Sequence, residues 1–302
     1  MRRYQAVWSR VLAIAASREH QALGLIVALA ALLRLYRLGD GHPGLAIYAA
    51  ISRNVTTSWH SWFYPSIYPD GVILADKPPL YFWLQGTFAA ILGPTDFALR
   101  FPVALASILA IPLLFVIVRR GYGPMSGLLA ALALAVMPMN VNFSRGIFLE
   151  PVATLTMLIA TYFVVRGVQG KQARYLYIAA AVMGVGFNVK LWQGLLPLPA
   201  FGLFVMAYRW TSWVKLLGTA FIAGVIFLAS AFWWPVLMWL TSSQYAGVMH
   251  ASSVWDMIFG WNLRERFGGL EYGGSSYRAD FSWFFTREMS LIFGISLPLA
   301  VI

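Results

Sequence analysis

An acid and a base stand side by side at Asp76-Lys77, followed at once by Pro78-Pro79. They sit where a hydrophobic run of about twenty residues, enough to enter a bilayer, begins. A charged side chain at membrane depth is costly, so such a pair reads as functional. The two prolines fix a stiff, non-helical approach, which holds the pair at the interface and keeps it out of a helix. An ammonium beside a carboxylate at a membrane face suits a phosphorylated, lipid-borne substrate.

Two further ion clusters are expected at the same leaflet. Ser144-Arg145 and Glu150 lie in the link MNVNFSRGIFLEP, where Pro151 is a good first helical residue and places Glu150 at a helix N-terminus. Asn188 and Lys190 lie in GFNVKLWQG. Lys77, Arg145 and Lys190 on one face can neutralise a diphosphate or phosphodiester, Arg through a bidentate fork and Lys as a point charge. Taken singly, each is equally compatible with anchoring by a snorkelling side chain; the three together, each with polar neighbours, favour a site. The four histidines are dispersed and no HExxH spacing occurs, so no metal site is expected and a divalent cation finds no support. His60, beside Trp59 and Trp62, reads as interfacial, and with Tyr64 and Asn188 is expected near a substrate cavity. Asn54-Val55-Thr56 and Asn142-Phe143-Ser144 match glycosylation acceptors, triplets that are common by chance.

Such residues need a membrane-embedded scaffold, and the composition supplies one. Of 302 residues, 60% are hydrophobic and only 11% charged, with a mean hydropathy of +0.70, against about 25% charged in soluble domains. The chain reads as an all-α polytopic membrane protein. With no cysteine, disulfide and thiol chemistry are excluded. The net charge of +11 does not indicate nucleic acid, because of where the charge falls.

Apolar runs fit for spans occur near 21–38, 97–118, 124–140, 148–166, 175–189, 191–208, 215–239 and 289–302, about eight in all. Residues 1–20 are basic and amphipathic and read as a cytosolic surface helix, with no cleavable signal. With that end inside, eleven basic residues from Arg2 to Lys215 face the cytosol against Glu19 alone, while the other side holds eleven basic and ten acidic residues. The positive-inside rule then orients the chain, with a domain over 21–302 and outer loops at 39–96 and 240–288. The first loop is rich in aromatic residues and ends in PPLYFWLQGTFAAILG, which reads as an interfacial helix. The second holds the Gly-rich RERFGGLEYGGSSYRAD, read as a flexible loop. The chain ends at Ile302 inside an apolar run, which reads as a truncated chain or a fragment.

The string SWHSWFYPSIYPDGVILADKPPLYFWLQ resembles the first extracytoplasmic loop of bacterial membrane glycosyltransferases of the GT-C fold, the protein mannosyltransferase and aminoarabinose lipid A transferase superfamily. The resemblance continues in SRGIFLEP, GFNVKLWQGLLPLPA and SSVWDMIFGWNLRERFGG, spanning about residues 40 to 270. It implies a GT-C-like helical bundle in the cell membrane. It also implies inverting transfer of a sugar from a polyprenyl-phosphate donor to a lipid, glycan or protein acceptor on the extracytoplasmic face. Asp76 and Lys77 match the family's pair near the donor phosphate, Lys190 a basic position near it, and Glu150 an acidic position beside the cavity.

One departure stands out. Most relatives carry an acid soon after the first span, or Asn in the nearest branch, where HPGLAIYAAISRNV has Gly44 and Leu45. Asp76, Glu150 or Asp70 must then serve as base, or the chain is altered or inactive. The alternative is a non-catalytic binder or translocator of a lipid-linked sugar. Transporters tend to show inverted repeats and broken helices at midplane, whereas this sequence shows no convincing repeat and gathers its charges at one face.

Overall fold

Crossing about 30 Å of hydrocarbon takes roughly twenty apolar helical residues. In the computed structural model, which describes residues 18–40, 44–69 and 72–265, four helical stretches meet that length and hydropathy: Asp96–Tyr122, Glu150–Gln169, Ala173–Leu195 and Trp213–Leu240. A fifth is the bent pair Pro124–Val136 and Pro138–Ser144, whose halves meet at 57°. The chain is a polytopic helical membrane protein.

In chain order the helices are α1 (Arg18–Leu35), α2 (Ala46–Asn54), α3 (Trp59–Phe63), α4 (Leu80–Leu92), α5 (Asp96–Tyr122), α6 (Pro124–Val136), α7 (Pro138–Ser144), α8 (Glu150–Gln169), α9 (Ala173–Lys190), α10 (Leu198–Ala207) and α11 (Trp213–Leu240). A 3₁₀ turn, Leu191–Leu195, continues α9, and a π-helical segment runs from Asp256 to Glu265. Two short strands, β1 (Ile73–Leu74) and β2 (Gly247–Val248), pair in parallel.

Several expected spans take a different form. The run 191–208 is divided between the 3₁₀ turn and the ten-residue α10, about 15 Å long and too short to cross. The run 124–140 bends, because Pro138 lacks the N–H that would bond one turn back. The PPLYFWLQ run, expected as an interfacial helix and not as a span, forms the 13-residue α4, about 20 Å long. Residues 1–17 and 266–302, with the Gly-rich loop and the run 289–302, lie outside the described residues.

A buried arginine holds the bend. Arg34 of α1 is fully buried and bonds the carbonyls of Leu134 and Ala135, which the proline break leaves free, at 3.2 and 2.8 Å. Its remaining donors go to Ser107 Oγ, Ala30 O and Asn140 Oδ1. All five guanidinium N–H groups therefore have acceptors, which is the condition for burying this charge. Ser107 and Asn140 are themselves bonded at 2.7 Å, so α1, α5, α6 and α7 meet at one polar knot.

Helix α8 packs against both α5 and α9, and with α4 these helices carry most of the core beneath the site, which includes Tyr81, Phe82, Leu99, Val103, Ile147, Val152 and Val189. The two segments expected to form outer loops are joined by the β1–β2 pair: Ala246 N donates to Val72 O at 2.8 Å and Met249 N to Leu74 O at 2.9 Å. That pairing lays residues 247–250 alongside the chain leading to Asp76.

Candidate active site

β1 delivers the chain to Asp76 and Lys77, and Pro79 sits just before the first residue of α4. The pair is non-helical, as the two prolines require, but it is buried: each residue is 3% exposed. Burying two charges costs several kcal/mol per ion unless good geometry and further hydrogen bonds offset it. Here they do. Lys77 Nζ donates to Asp76 Oδ2 at 2.7 Å, to the Asp76 carbonyl at 3.2 Å and to Asn262 Oδ1 at 2.7 Å. Asp76 Oδ1 accepts from the Tyr48 hydroxyl at 2.9 Å. Asn262 Nδ2 donates back to the Asp76 carbonyl at 3.0 Å and to Met257 O at 2.8 Å, tying the pair to the π-helical segment.

A second ion pair faces the first. Glu150 opens α8 ahead of Pro151, where the helix dipole favours a carboxylate. Lys190 closes α9, where a cation is favoured, and its Nζ lies 2.7 Å from Glu150 Oε1. This pair is half-open, with 15% of the Lys190 side chain and 36% of Glu150 exposed. Directly after Lys190, Leu191 adopts φ 50°, ψ −134°, a conformation costly for any residue but glycine. The reversal turns the 3₁₀ segment so that Gln193 reaches the same space, its buried Oε1 lacking a protein partner among the described residues.

Together these groups line a cleft of about 270 Å³ containing Tyr48, Asp76, Lys77, Glu150, Lys190 and Gln193, with Leu45, Ile47, Leu149, Met249 and His250 completing its wall. His250 stands at φ 63° and stacks on Trp261 at 4.6 Å. The two lysines and two carboxylates balance, so an anion entering the cleft has to take a cation from its carboxylate.

At the position where the resemblance places an acid, the cleft wall is apolar. Gly44 has φ 83° and bridges to Ile147. A Cβ there would lie 2.9 Å from Ile147 N and 3.0 Å from the Phe148 ring. Leu45, 40% exposed, lines the cleft instead.

Four expected site residues lie elsewhere. Arg145 donates to the carbonyls of Leu33 and Arg34 at 2.9 and 3.3 Å, serving the C-terminal end of α1. His60 and Tyr64 stack on each other at 4.6 Å, and Tyr64 is buried with Phe187, Trp234 and Met238. Asn188 spends its amide on the carbonyls of Gly184, Ser230 and Ala231, binding α9 to α11. Asp70 lies outside the described residues. Conversely, Tyr48 and Gln193 line the cleft and Asn262 holds its buried ion pair without having been singled out, although all three fall within strings that carry the resemblance or its departure. Among the described residues, no group of three His, Cys, Asp or Glu side chains is placed to hold a metal ion.

The family model for dolichyl-phosphate-mannose-protein mannosyltransferase matches residues 76–239, more than half of the chain. The candidate mannosyltransferase YycA of Bacillus subtilis is 31% identical over 78% of this chain and 35% of its own length. The undecaprenyl phosphate-alpha-4-amino-4-deoxy-L-arabinose arabinosyl transferase of Edwardsiella ictaluri is 30% identical over 56% of this chain and 32% of its own. The chain thus spans about a third of the length of these curated relatives. Among solved structures, ArnT of Cupriavidus metallidurans in the apo state superposes with a TM-score of 0.68 at 21% identity, covering 95% of this chain and 50% of that one. ArnT bound to undecaprenyl phosphate superposes at 0.64 and 19% identity, over 80% of this chain and 44% of that one. The likeness shows the fold to be GT-C.

Proposed function

The chain belongs to the dolichyl-phosphate-mannose-protein mannosyltransferase family, and from that membership we propose that its cleft serves transfer of a sugar from a polyprenyl-phosphate donor to an acceptor hydroxyl, with inversion. The observation that carries this reading is the pair of lysine–carboxylate bridges, Lys77–Asp76 and Lys190–Glu150, lining one cleft. The donor phosphate lies against Lys190 and draws on Lys77. Taking Lys190 releases Glu150, whose Oε2 has no protein partner among the described residues. The acceptor oxygen attacks the anomeric carbon, the bond from that carbon to the phosphate oxygen breaks, and the hydroxyl proton passes to a carboxylate. The polyprenyl phosphate leaves as an anion held by the lysines, the interaction that grows most in the transition state. Of the two carboxylates Glu150 is the better placed base, since both oxygens of Asp76 are engaged.

The cleft is assigned to the extracytoplasmic face of the cell membrane, with the N-terminus cytosolic. Support comes from charge: the ends of α5, α8 and α9 away from the cleft carry Arg119, Arg120, Arg166 and Arg174. The acceptor is a lipid, a glycan or a protein. The apolar Leu45 in place of an acid keeps the binder or translocator in view as the second reading. Both are tested by reconstituting the protein in vesicles with labelled polyprenyl-phosphate sugar and a panel of hydroxyl acceptors. Transfer that Lys190→Gln abolishes supports the enzyme. Donor retention without turnover transfers the cleft to the second reading, and neither retention nor turnover removes both.

A further inference from the structure

Helix α8 starts at Glu150 in the cleft and ends at Gln169, twenty residues on, so the turn joining it to α9 lies about 30 Å away. At that far end three arginines have no carboxylate partner among the described residues: Arg120, Arg166 and Arg174. Their neighbour Arg119 shows the contrast, since it pairs with Glu19 at 2.5 Å. The three are instead interleaved with two tyrosines. The Arg120 guanidinium lies 5.2 Å from the Tyr162 ring centre, Arg166 lies 6.0 Å from Tyr162 and 4.7 Å from Tyr175, and Arg174 lies 4.9 Å from Tyr175. Arg166 also donates to the Tyr162 hydroxyl at 2.9 Å, and Arg174 to Gln172 Oε1 at 2.9 Å. A cleft of about 340 Å³ opens among Arg120, Arg166, Gln169, Gly170, Gln172 and Tyr175.

Ordinary causes account for part of this ladder. Arg120 and Arg166 sit in the last turns of α5 and α8, where a cation complements the helix dipole. Arg174 does not fit that account, because it stands in the first turn of α9, where the dipole disfavours it and no acidic residue offsets it. Three like charges drawn together by two rings repel unless an anion shares them. The rings hold guanidinium faces and leave N–H edges for another acceptor, and a guanidinium edge matches two oxygens of a phosphate.

We propose that the Arg120–Tyr162–Arg166–Tyr175–Arg174 ladder binds a phosphate-bearing anion, with the headgroup of an anionic phospholipid as its source. The ladder sits at the ends of three membrane-crossing helices, where lipid phosphates lie, and exposed arginines there gain from each anionic headgroup they meet. The site is independent of the sugar-transfer cleft.

The test is native mass spectrometry of the whole, delipidated protein, titrated in parallel with phosphatidylglycerol, phosphatidylcholine and inorganic phosphate. Preferential retention of phosphatidylglycerol is expected. It should fall about tenfold or more in the Arg120→Gln/Arg166→Gln double variant, as loss of two charge-assisted contacts implies, while Arg119→Gln retains it. All three positions are exposed, so an unchanged melting point in phosphatidylcholine shows the variants folded. Retention of inorganic phosphate that the double variant loses supports the phosphate site and moves its source to solution. Equal retention of the two lipids with no phosphate bound, or retention indifferent to the double variant, overturns the proposal.

Discussion

The ammonium of Lys77 lies 2.7 Å from the amide oxygen of Asn262, 185 positions later in the chain, and the amide nitrogen of Asn262 returns a bond to the carbonyl of Asp76. A neutral side chain thus latches the buried ion pair from the far end of the described structure.

Asn262→Ala removes an acceptor from Lys77 and a donor from the Asp76 carbonyl. Leaving a buried polar group unsatisfied costs about 1–3 kcal/mol, and more for a charged one. The expected outcome is a fall of several degrees in the melting point of the detergent-solubilised protein, and an unchanged melting point would show that the latch contributes nothing.

Tyr48→Phe deletes the hydroxyl that serves Asp76 Oδ1 and keeps the ring that packs edge-on against Phe82 at 5.5 Å. The loss of one hydrogen bond to a charged group is expected to cost about 1.5–3 kcal/mol. Tyr48→Ala also empties part of the core and should cost more, about 3–5 kcal/mol as for other large aromatic truncations. Equal melting points for the two variants would contradict the packing described.

The two members of the half-open pair should separate binding from turnover. Glu150→Gln leaves Lys190 without a competing carboxylate, so donor retention is expected to hold or rise while transfer falls about 10²–10⁴-fold, the usual worth of a general base. Lys190→Gln should weaken donor retention and transfer together. Identical binding profiles would mean that the bridge is not the element exchanged when the donor enters.

Gly44 and Leu45 should respond unequally to the same new acid. Gly44→Asp places a Cβ 2.9 Å from Ile147 N at φ 83°, and a poorly folded protein is expected. Leu45→Asp, at a position 40% exposed on the cleft wall, should fold normally. Melting points of the two variants, measured side by side, decide the matter.

What the sequence makes legible is charge set against apolarity. Asp76-Lys77 stands out because two prolines mark the end of a polar segment, and Glu150 because Pro151 marks a helix start. Lys190 is visible as a charge at the end of an apolar run. Asn262 and Tyr48 carry no such mark: an amide and a phenol acquire their roles only when the β1–β2 pair and the π-helical segment bring distant chain together. Arg145 shows the opposite difficulty. A guanidinium between two helices suits a phosphate and a helix-end carbonyl equally well, and only the position of α1 decides for the carbonyls of Leu33 and Arg34. In the same way hydropathy marks 124–140 as one apolar run, while the 57° bend depends on a proline whose freed carbonyls are met by a side chain far away in sequence.

Arg34 also imposes an order of events on synthesis. Its acceptors Ser107, Leu134, Ala135 and Asn140 come 73 to 106 positions later. Until the ribosome has delivered them, the Arg34 guanidinium, in the last turn of α1, has only the Ala30 carbonyl of its own helix to accept from it. A nascent chain arrested before Asn140 is expected to leave Arg34's helix open to a water-soluble label, and one arrested well past Ser144 to protect it; early protection would rule this sequence out. The prediction inverts the order of translation: the Arg34 end of α1 is locked in place only after helices made later have arrived to receive it.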